Sequence, residues 1–559
     1  MKILLILALS TAVSSQAATY YASPTGNDTN NGLSTGLPFK TVVKAMSRAV
    51  AGDTVLLRGG VYREQVEVLA VGSAGSPITL AAYPGEVPTI KGSDLVTGWV
   101  QESPLVWKKT GWTINSQQVF VDFDAKPGNS LQQIGMPSSL YTTAEYPSPV
   151  GSGLASMTAG SFYYSPSSST LYIRLADGSD PNAHVIEVSV RRRLVFMHNP
   201  YIQVKGLFFR HSNASAFAQQ EAAVTLSSNS SIENCDIQYA DFAGLSMGYL
   251  TTNTTALNCN VSNNGNSGVN TSSSYNFRIT NVSMKGNNTR KFNALWHAGG
   301  FKGTTKSYGV VENCEVAFNN GTGIWFDYAN SGSTIVIRNN YIHDNGPVDA
   351  GIHFEVSKNG LIYNNVIIDN SRRGIYLSGA DNTQVFHNTI VGSRVYAGIE
   401  VGGMPRSGAT LTNNKVYNNI VSGGSGLYDL IIAPANGSTI VGNMSDYNDF
   451  FRGGGPLKLT MGTSYTTLTA WRAGTQMDLH SISADPRFVA ATIPPSAANY
   501  ALSALSPVID VGTRGVVTPD YLAVTRPFGL AFDLGAFEAT SAPAPDRVAP
   551  AAPVNLRKN

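Results

Sequence analysis

Three short segments with one shared pattern decide the fold of this chain. Val311–Val316 reads VENCEV, Ile337–Ile342 reads IRNNYI and Ile362–Ile367 reads IYNNVI. Five further six-residue windows fit the pattern, beginning at Ile232, Ala256, Ile279, Val385 and Leu411. The third positions of the eight windows are 234, 258, 281, 313, 339, 364, 387 and 413. Successive third positions are 24, 23, 32, 26, 25, 23 and 26 residues apart. The chain therefore contains an internal repeat of about 24 residues.

Between these windows lies a second recurring phrase, a glycine followed by an aliphatic residue. It begins at Gly244, Gly268, Gly323, Gly351, Gly374 and Gly398. Short alternating runs divided by Gly and Asn, without a helical period, indicate strands. Two or three strands per repeat predict an all-β parallel β-helix, because leucine-rich repeats need a different pattern and propeller repeats are longer. Of 45 asparagines, 35 lie between 201 and 450, which predicts stacked, hydrogen-bonded asparagines with left-handed backbone at repeated turns.

Charge and composition exclude several classes of protein. Only 13% of the 559 residues are charged, with 38 Lys and Arg against 36 Asp and Glu, so nucleic acid is not an expected partner. Residues 1–18 combine a basic start, an apolar run and small residues, which predicts a signal peptide and a secreted or periplasmic protein. No segment is long and apolar enough for a membrane helix. We expect a monomer without membrane insertion.

The departures from the repeat predict the domain organisation. Residues 19–99 are expected to hold an N-terminal capping helix at 39–50 and the first coils, with strands at 54–58, 65–69 and 78–82. Residues 100–195 are expected to form an inserted β-rich, sandwich-like subdomain with strands near 118–122, 161–164, 171–174 and 185–188. The central β-helix then spans 196–440, the C-terminal coils and cap 441–540, and a disordered tail 541–559.

Three cysteines occupy equivalent repeat positions: Cys235, Cys259 and Cys314. An odd number excludes a framework of disulfides alone. A stacked row of small buried side chains is the simpler prediction, and a Cys235–Cys259 disulfide between adjacent coils is the alternative.

Stacking the glycine phrases predicts a chemical site. GIWFD ends at Asp327 and GIHFE ends at Glu355, so strand alternation places both carboxylates in one outward column. One of two neighbouring carboxylates is expected to hold its proton more tightly. A retaining glycosidase needs its carboxyl groups about 5–5.5 Å apart, close to the spacing of adjacent strands.

Aromatic and basic residues are expected beside this pair. Trp325, His353 and Tyr376 should point outward, the two aromatic rings being exposed to a sugar, and the 32-residue repeat should add a wall carrying Trp296, His297 and Lys302. His343, His387 and Glu400 are expected to be turn or surface residues. No metal ligand set is apparent, so no metal or other cofactor is expected.

The motifs GGFK, ending at Lys302, GIWFD and GIHFEVS resemble the core of right-handed parallel β-helix carbohydrate-active enzymes. The nearest likeness is to the β-xylosidases of glycoside hydrolase family 120 and uncharacterised relatives. The segments GSFYY, starting at Gly160, and DGSDP, starting at Asp177, resemble the β-sandwich that interrupts the helix in those proteins. The resemblance implies that Asp327 is the nucleophile, Glu355 the acid/base, and a poly- or oligosaccharide the substrate.

Two other functions stay open. A polysaccharide lyase or uronate epimerase would use His353 as a base and Lys302, Arg372, Arg373 and Arg394 to neutralise the uronate, or calcium in a calcium-dependent form. A non-enzymatic, glycan-binding surface solenoid would use the aromatic row alone. Sugar identity, linkage and endo or exo action depend on loop shapes.

Overall fold

A computed structural model describes residues 16–135, 149–214, 221–402, 410–433, 440–489, 496–515 and 519–540. The predicted signal peptide lies almost wholly outside these residues, and the predicted tail lies outside them entirely. Three long sheets run side by side along one axis, and the chain passes from sheet A to sheet B to sheet C in each coil. The molecule is a parallel β-helix.

Sheet A comprises Thr19–Ala22, Thr54–Leu57, Ile78–Ala82, Ile202–Lys205, Ser231–Glu233, Thr255–Leu257, Tyr275–Thr280, Tyr308–Glu312, Ile335–Arg338, Gly360–Tyr363, Gln384–Phe386, Lys415–Tyr417 and Met444–Asp446. Sheet B comprises Gly60–Tyr62, Pro88–Lys91, Phe208–Arg210, Asp236–Gln238, Asn260–Ser262, Ser283–Lys285, Glu315–Ala317, Tyr341–His343, Val366–Ile368, Thr389–Val391, Ile420–Ser422 and Asp449–Phe451. Sheet C comprises Val66–Val68, Val195–Met197, Ala222–Thr225, Ala243–Tyr249, Ser267–Ser272, Gly299–Thr304, Thr322–Asp327, Ala350–Glu355, Arg373–Ser378, Ala397–Gly402, Tyr428–Ile432, Leu459–Met461 and Thr463–Tyr465.

The register of sheet C follows the glycine phrases. Ile324 pairs with Ile352, Ile352 with Ile375, and Ile375 with Ile399. All four side chains are fully buried in one core cluster that runs through the coils. Each fully buried aliphatic side chain stabilises the fold by roughly 1.5–3 kcal/mol, so a shift of one residue would be costly.

The register of sheet A confirms seven of the eight windows and corrects the last. Val385 pairs with Val416, not with Leu411. Leu411–Thr412 instead pairs with Ile440–Val441 in a separate two-stranded sheet. Asn414 therefore lies at the corner before sheet A, where its Oδ1 accepts from the backbone N–H of Thr383 at 3.1 Å.

Asparagines form two hydrogen-bonded columns at the corners of the coils. In the corner between sheets A and B, each side-chain Nδ2 donates to the Oδ1 of the next at 2.9–3.0 Å. This column contains Asn340, Asn365, Asn388, Asn419 and Asn448. A second column, between sheets B and C, contains Asn264, Asn287, Asn319, Asn345 and Asn370.

The third positions of the repeat windows adopt the left-handed backbone conformation. Their φ values lie between 51° and 55° in all eight windows, including His387. Asparagine tolerates this conformation better than most residues, so the predicted role of asparagine at the turns is confirmed.

Cys235, Cys259 and Cys314 are buried and free. The alternative prediction of a Cys235–Cys259 disulfide is therefore wrong. Burial raises the pKa of the Cys314 thiol to about 12, so this side chain behaves as a small apolar group.

The helix predicted at 39–50 is shorter than expected. It spans Val42–Met46, with the Thr41 hydroxyl accepting from the backbone N–H of Lys44. Phe39 lies outside it, because this residue forms a bridge to Ala22. The helix packs against the first coils, and its role as a cap stays a prediction.

Described residues between 93 and 189 form two smaller sheets outside the three long sheets of the β-helix. The antiparallel three-stranded sheet comprises Val119–Val121, Ile186–Ser189 and Ser93–Leu95, and the five-stranded sheet comprises Gln132–Gln133, Ser161–Ser165, Thr170–Arg174, Val106–Thr110 and Val100–Ser103. They enclose their own apolar cluster around Phe162 and Ile173. The domain boundaries given above stay predictions.

The second helix, Leu468–Thr475, follows the last hairpin of sheet C, and its Trp471 is fully buried. Short 3-10 turns occupy Leu154–Ser156, Pro181–Ala183 and Ala497–Tyr500. Within the described ranges, neither helix is long or apolar enough to cross a membrane.

Candidate active site

The candidate site lies on the outer face of sheet C, where two columns of side chains run side by side. In strand Thr322–Asp327, Ile324 and Phe326 enter the core, so Trp325 and Asp327 face the opposite way. Trp325 pairs with His353, and Asp327 pairs with Glu355. The structure thus brings the two predicted carboxylates to neighbouring positions of one column.

The first column is a continuous stack of side chains. The Lys302 ammonium lies 3.4 Å from the centre of the Trp325 ring. Trp325 stacks on His353 with ring centres 5.1 Å apart, and His353 stacks on Tyr376 at 4.7 Å, each pair inclined by 15°. The guanidinium of Arg373 lies 4.1 Å from the centre of the Tyr376 ring. Two cations therefore close a stack of three rings.

The predicted exposure of the aromatic rings is wrong for Trp325, which is only 3% exposed. His353, at 4% exposure, is buried in the same stack. The rings of Trp325, His353 and Tyr376 cover one another's faces, so their edges point away from the stack. Tyr376 is half-buried.

Asp327 is held by one cation and retains an unused acceptor. Its Oδ2 lies 3.3 Å from the Lys302 ammonium. Its Oδ1 is buried and has no hydrogen-bond partner in the described structure. Burial lowers the pKa of Lys302, and the charge of Asp327 opposes that change. The charge of Asp327 thus supports the ionised form of Lys302.

Glu355 is fixed by the stack itself. The indole N–H of Trp325 donates to Glu355 Oε2 at 3.2 Å, and the Nε2 atom of His353 lies 3.9 Å from the same oxygen. The Glu355 side chain is 5% exposed. The two carboxylates of the second column thus have different neighbours, an ammonium group for Asp327 and an indole with an imidazole for Glu355.

The long repeat places Lys302 beside Asp327 and Trp296 beside Lys302, as its position predicts. Trp296 is 49% exposed, and its carbonyl oxygen accepts from the Lys302 ammonium. His297 points elsewhere, because its Nδ1 lies 2.8 Å from Asn266 Oδ1 and its ring stacks on Phe242. Burial lowers the pKa of His297 to about 3, so this ring is neutral and its contacts are structural.

Sequence reasoning missed two charged residues of this site. Glu400 was expected on the surface, but it is 6% exposed, pairs in register with Tyr376 and binds Arg373. Asp349 lies just before the glycine phrase, and its Oδ2 is 3.7 Å from His353 Nδ1. The register of the phrases could have revealed Glu400, whereas Asp349 lies outside the strand pattern.

Other predicted surface residues are placed differently. His343 lies in strand Tyr341–His343 and is 6% exposed, so the expectation of a turn or surface residue is wrong for it. His387 lies at a left-handed turn, as expected, but its side chain is fully buried. Arg394 binds Asp344 at 2.6 Å, not the site carboxylates. Across the described ranges, no group of three or more His, Cys, Asp or Glu side chains is arranged to hold a metal ion.

Comparisons with known proteins agree with this architecture. Residues 287–448 match the family model described as a right handed beta helix region. The chain is 38% identical over 86 residues to the uncharacterized protein YwoF of Bacillus subtilis (strain 168), covering 15% of this chain and 18% of that protein. It is 37% identical over 81 residues to the pectate lyase PEL9 of Emericella nidulans, covering 14% and 20% respectively. The matches thus span about a fifth of these curated relatives.

Among solved structures, XylC in complex with xylose superposes with a TM-score of 0.64 at 16% identity, over 93% of this chain and 98% of that one. At this identity the likeness concerns the fold. The chain is a right-handed parallel β-helix that resembles β-helix carbohydrate-active enzymes, as the repeats and the glycine phrases predict.

Proposed function

We propose that this chain is a carbohydrate-active enzyme, a retaining glycoside hydrolase that acts on a poly- or oligosaccharide. The observation that carries the proposal is the in-register pairing of Asp327 with Glu355 on adjacent strands. Adjacent strands lie about 4.8 Å apart, and the two carboxyl groups of a retaining enzyme lie about 5–5.5 Å apart. We further propose export, a monomeric state and chemistry without a metal.

The different neighbours of the two carboxylates suggest their roles. The Lys302 ammonium, 3.3 Å from Asp327, places a positive charge beside the carboxylate that would act as the nucleophile. Asp327 would attack the anomeric carbon while Glu355 donates a proton to the leaving oxygen, giving a glycosyl ester. Glu355 would then take a proton from water, whose oxygen displaces Asp327 and restores both groups.

Variants of the two carboxylates test this mechanism. D327N and E355Q should each lower kcat by about 10³-fold or more, with substrate still bound. A matched control is E315Q, because Glu315 lies on sheet B with Lys285 2.9 Å away and is similarly buried. Aryl xylosides, fucosides and arabinosides should be screened first. Full activity in D327N and E355Q would refute the proposal, and binding without any turnover would indicate a glycan-binding solenoid.

The stereochemistry of the product tests the two-step route. Proton NMR of the first product should show the same anomeric configuration as the substrate. An inverted product would exclude Asp327 as a nucleophile, because one displacement by water inverts the anomeric carbon.

A polysaccharide lyase is the second candidate. It is favoured by the segment similar to a pectate lyase and by the cations Lys302, Arg372 and Arg373, which all act on Asp349. A base would remove the C5 proton beside a uronate carboxylate, and the C4–O bond would break as the C4–C5 double bond forms, with the departing oxygen taking up a proton. The product would be unsaturated and absorb in the ultraviolet, and no water would be consumed. Such a product from a uronate polymer, with or without added calcium, would decide for the lyase.

A further inference from the structure

His353 lies between two carboxylates as well as between two rings. Its faces are covered by Trp325 and Tyr376, so the imidazole plane has a fixed orientation. One edge presents Nδ1 to Asp349 Oδ2 at 3.7 Å, and the other presents Nε2 to Glu355 Oε2 at 3.9 Å. The imidazole therefore joins the acid of the proposed reaction to a carboxylate that the reaction does not use.

The backbone brings Asp349 into this array. Its φ is 55°, in the left-handed region, and it directly precedes strand Ala350–Glu355. Burial raises the pKa of Asp349, and the charges of Arg373, Arg372 and Lys302 oppose that change. Aspartate tolerates the left-handed conformation better than most residues, and many turns of this β-helix use it.

Every element packed against His353 brings charge or polarity to it. Within its own strand and the turn before it, Asp349 and Glu355 face the two nitrogens. From the strand on one side come Trp325, with Lys302 on its far face, and Asp327. From the other side come Tyr376 and Arg373 with its partner Glu400, and Arg372 lies in the turn beside them.

These groups act on the imidazole in opposite directions. The two carboxylates and the ring faces favour the imidazolium form. Burial and the cations Lys302, Arg372 and Arg373 favour the neutral form. Glu355 is the nearest group whose charge changes in the proposed reaction. When Glu355 gains a proton, part of the attraction that favours a charged His353 is lost.

We propose that His353 is a positioning residue that couples Asp349 to Glu355. In this role it holds Glu355 Oε2 in place and carries a positive charge when Glu355 is ionised. The inference rests on the proposed function, because it assigns His353 to the acid/base of that reaction. Asp349 sets the charge of His353, and His353 sets the pH at which Glu355 exchanges its proton.

An NMR titration of the histidines tests the coupling without any assay of activity. The chain has eight histidines, and H353Q identifies the signal of His353. In D349N, removal of the anion beside Nδ1 should lower the titration midpoint of His353 by about one pH unit. E355Q should lower it similarly. An unchanged midpoint in both variants would overturn the proposal.

The pH profile of kcat/KM tests the consequence for Glu355. Activity is lost on the basic side when the acid of the free enzyme ionises. In H353Q, loss of the imidazolium should raise the pKa of Glu355. The basic limb of the profile should therefore lie about one pH unit higher than in the wild type. H343Q is the matched control, because His343 is also buried between carboxylates, Glu315 and Asp344, but lies on sheet B. Its limb should match the wild type.

The two failures can be told apart. If E355Q keeps full activity, the proposed function is wrong, and the NMR titration still decides whether Asp349 and His353 are coupled. If E355Q is inactive but H353Q keeps the wild-type limb, His353 has only a structural role and the inference is overturned.

Discussion

The asparagine column between sheets A and B and the outer column of sheet C are built on the same coils but differ in kind. In the first, Asn340, Asn365 and Asn388 repeat one side chain and one hydrogen bond from coil to coil. In the outer column of sheet C, which holds the stacked rings, successive coils carry different side chains at one register position: Lys302, Trp325, His353, Tyr376 and Glu400. A column of identical asparagines gives hydrogen-bond partners to the backbone N–H and C=O groups of the corner. A column of different residues creates a local chemical environment.

Removing one member of the asparagine column between sheets A and B should have the largest effect. In N365A, Asn340 loses the acceptor of its side-chain and backbone N–H groups, and Ile337 O loses a donor. Buried polar groups left without partners cost about 1–3 kcal/mol each, so the free energy of unfolding should fall by about 3 kcal/mol or more. Guanidinium unfolding followed by circular dichroism measures it.

Activity per folded molecule should not change in N365A, since the column lies away from sheet C. The exposed Asn330 provides a control, and N330A should alter the free energy of unfolding by less than about 0.5 kcal/mol. Equal losses in the two variants would show that the column contributes nothing special.

A smaller effect concerns a buried carboxyl group outside the site. Burial raises the pKa of Asp449 to about 8, against about 4 in an unfolded chain. The folded state therefore binds more protons between these values, so Asp449 makes stability fall as pH rises from about 4 to 8. D449N should remove this contribution, up to roughly 1.4 kcal/mol per pH unit.

Unfolding free energies of wild type and D449N across this pH range measure the difference. The gap between the two proteins should change steadily with pH in favour of the variant. Parallel curves would mean that Asp449 is ionised in the folded protein at neutral pH.

The smallest expected effect sharpens the comparison at the edge of the site. We expect the half-exposed Trp296 to contact the substrate of the proposed reaction, and L295A is a matched control because Leu295 is 60% exposed beside it. W296A should raise KM by about 3–10-fold and leave kcat nearly unchanged, as expected for loss of uniform binding. Steady-state kinetics on an oligosaccharide measures both constants. A similar KM in W296A and wild type would exclude this contact.

The sequence predicts the coils and most of their register because Gly and Asn mark the same places in each repeat. Val385 shows the limit of this reasoning. Two Asn-Asn pairs follow it, at 413–414 and 418–419, and only the core pairing of Val385 with Val416 distinguishes them. A local motif cannot tell which of two nearby copies continues the column.

The sequence predicts where the candidate site lies, but it predicts only some of the contacts that surround the site residues. Alternation predicts that Trp325 and Asp327 share a face, and the structure agrees. It does not predict that Trp325 is covered by Lys302 and His353, because that contact depends on the next coils. Asp349 was missed because a left-handed turn, not a strand, aims its side chain.

The extra pair of strands, Leu411–Thr412 and Ile440–Val441, shows how such a molecule accommodates changes in length. Thirty-one residues separate Val385 from Val416, yet the strands on both sides keep their pairing. The extra residues are inserted at the corner between sheets C and A, and the columns on both sides keep their register. A longer loop adds little entropic cost to folding. The loops around the site can therefore vary in length and shape while Asp327 and Glu355 keep their places. In the proposed function, this would separate the choice of substrate from the geometry of the reaction.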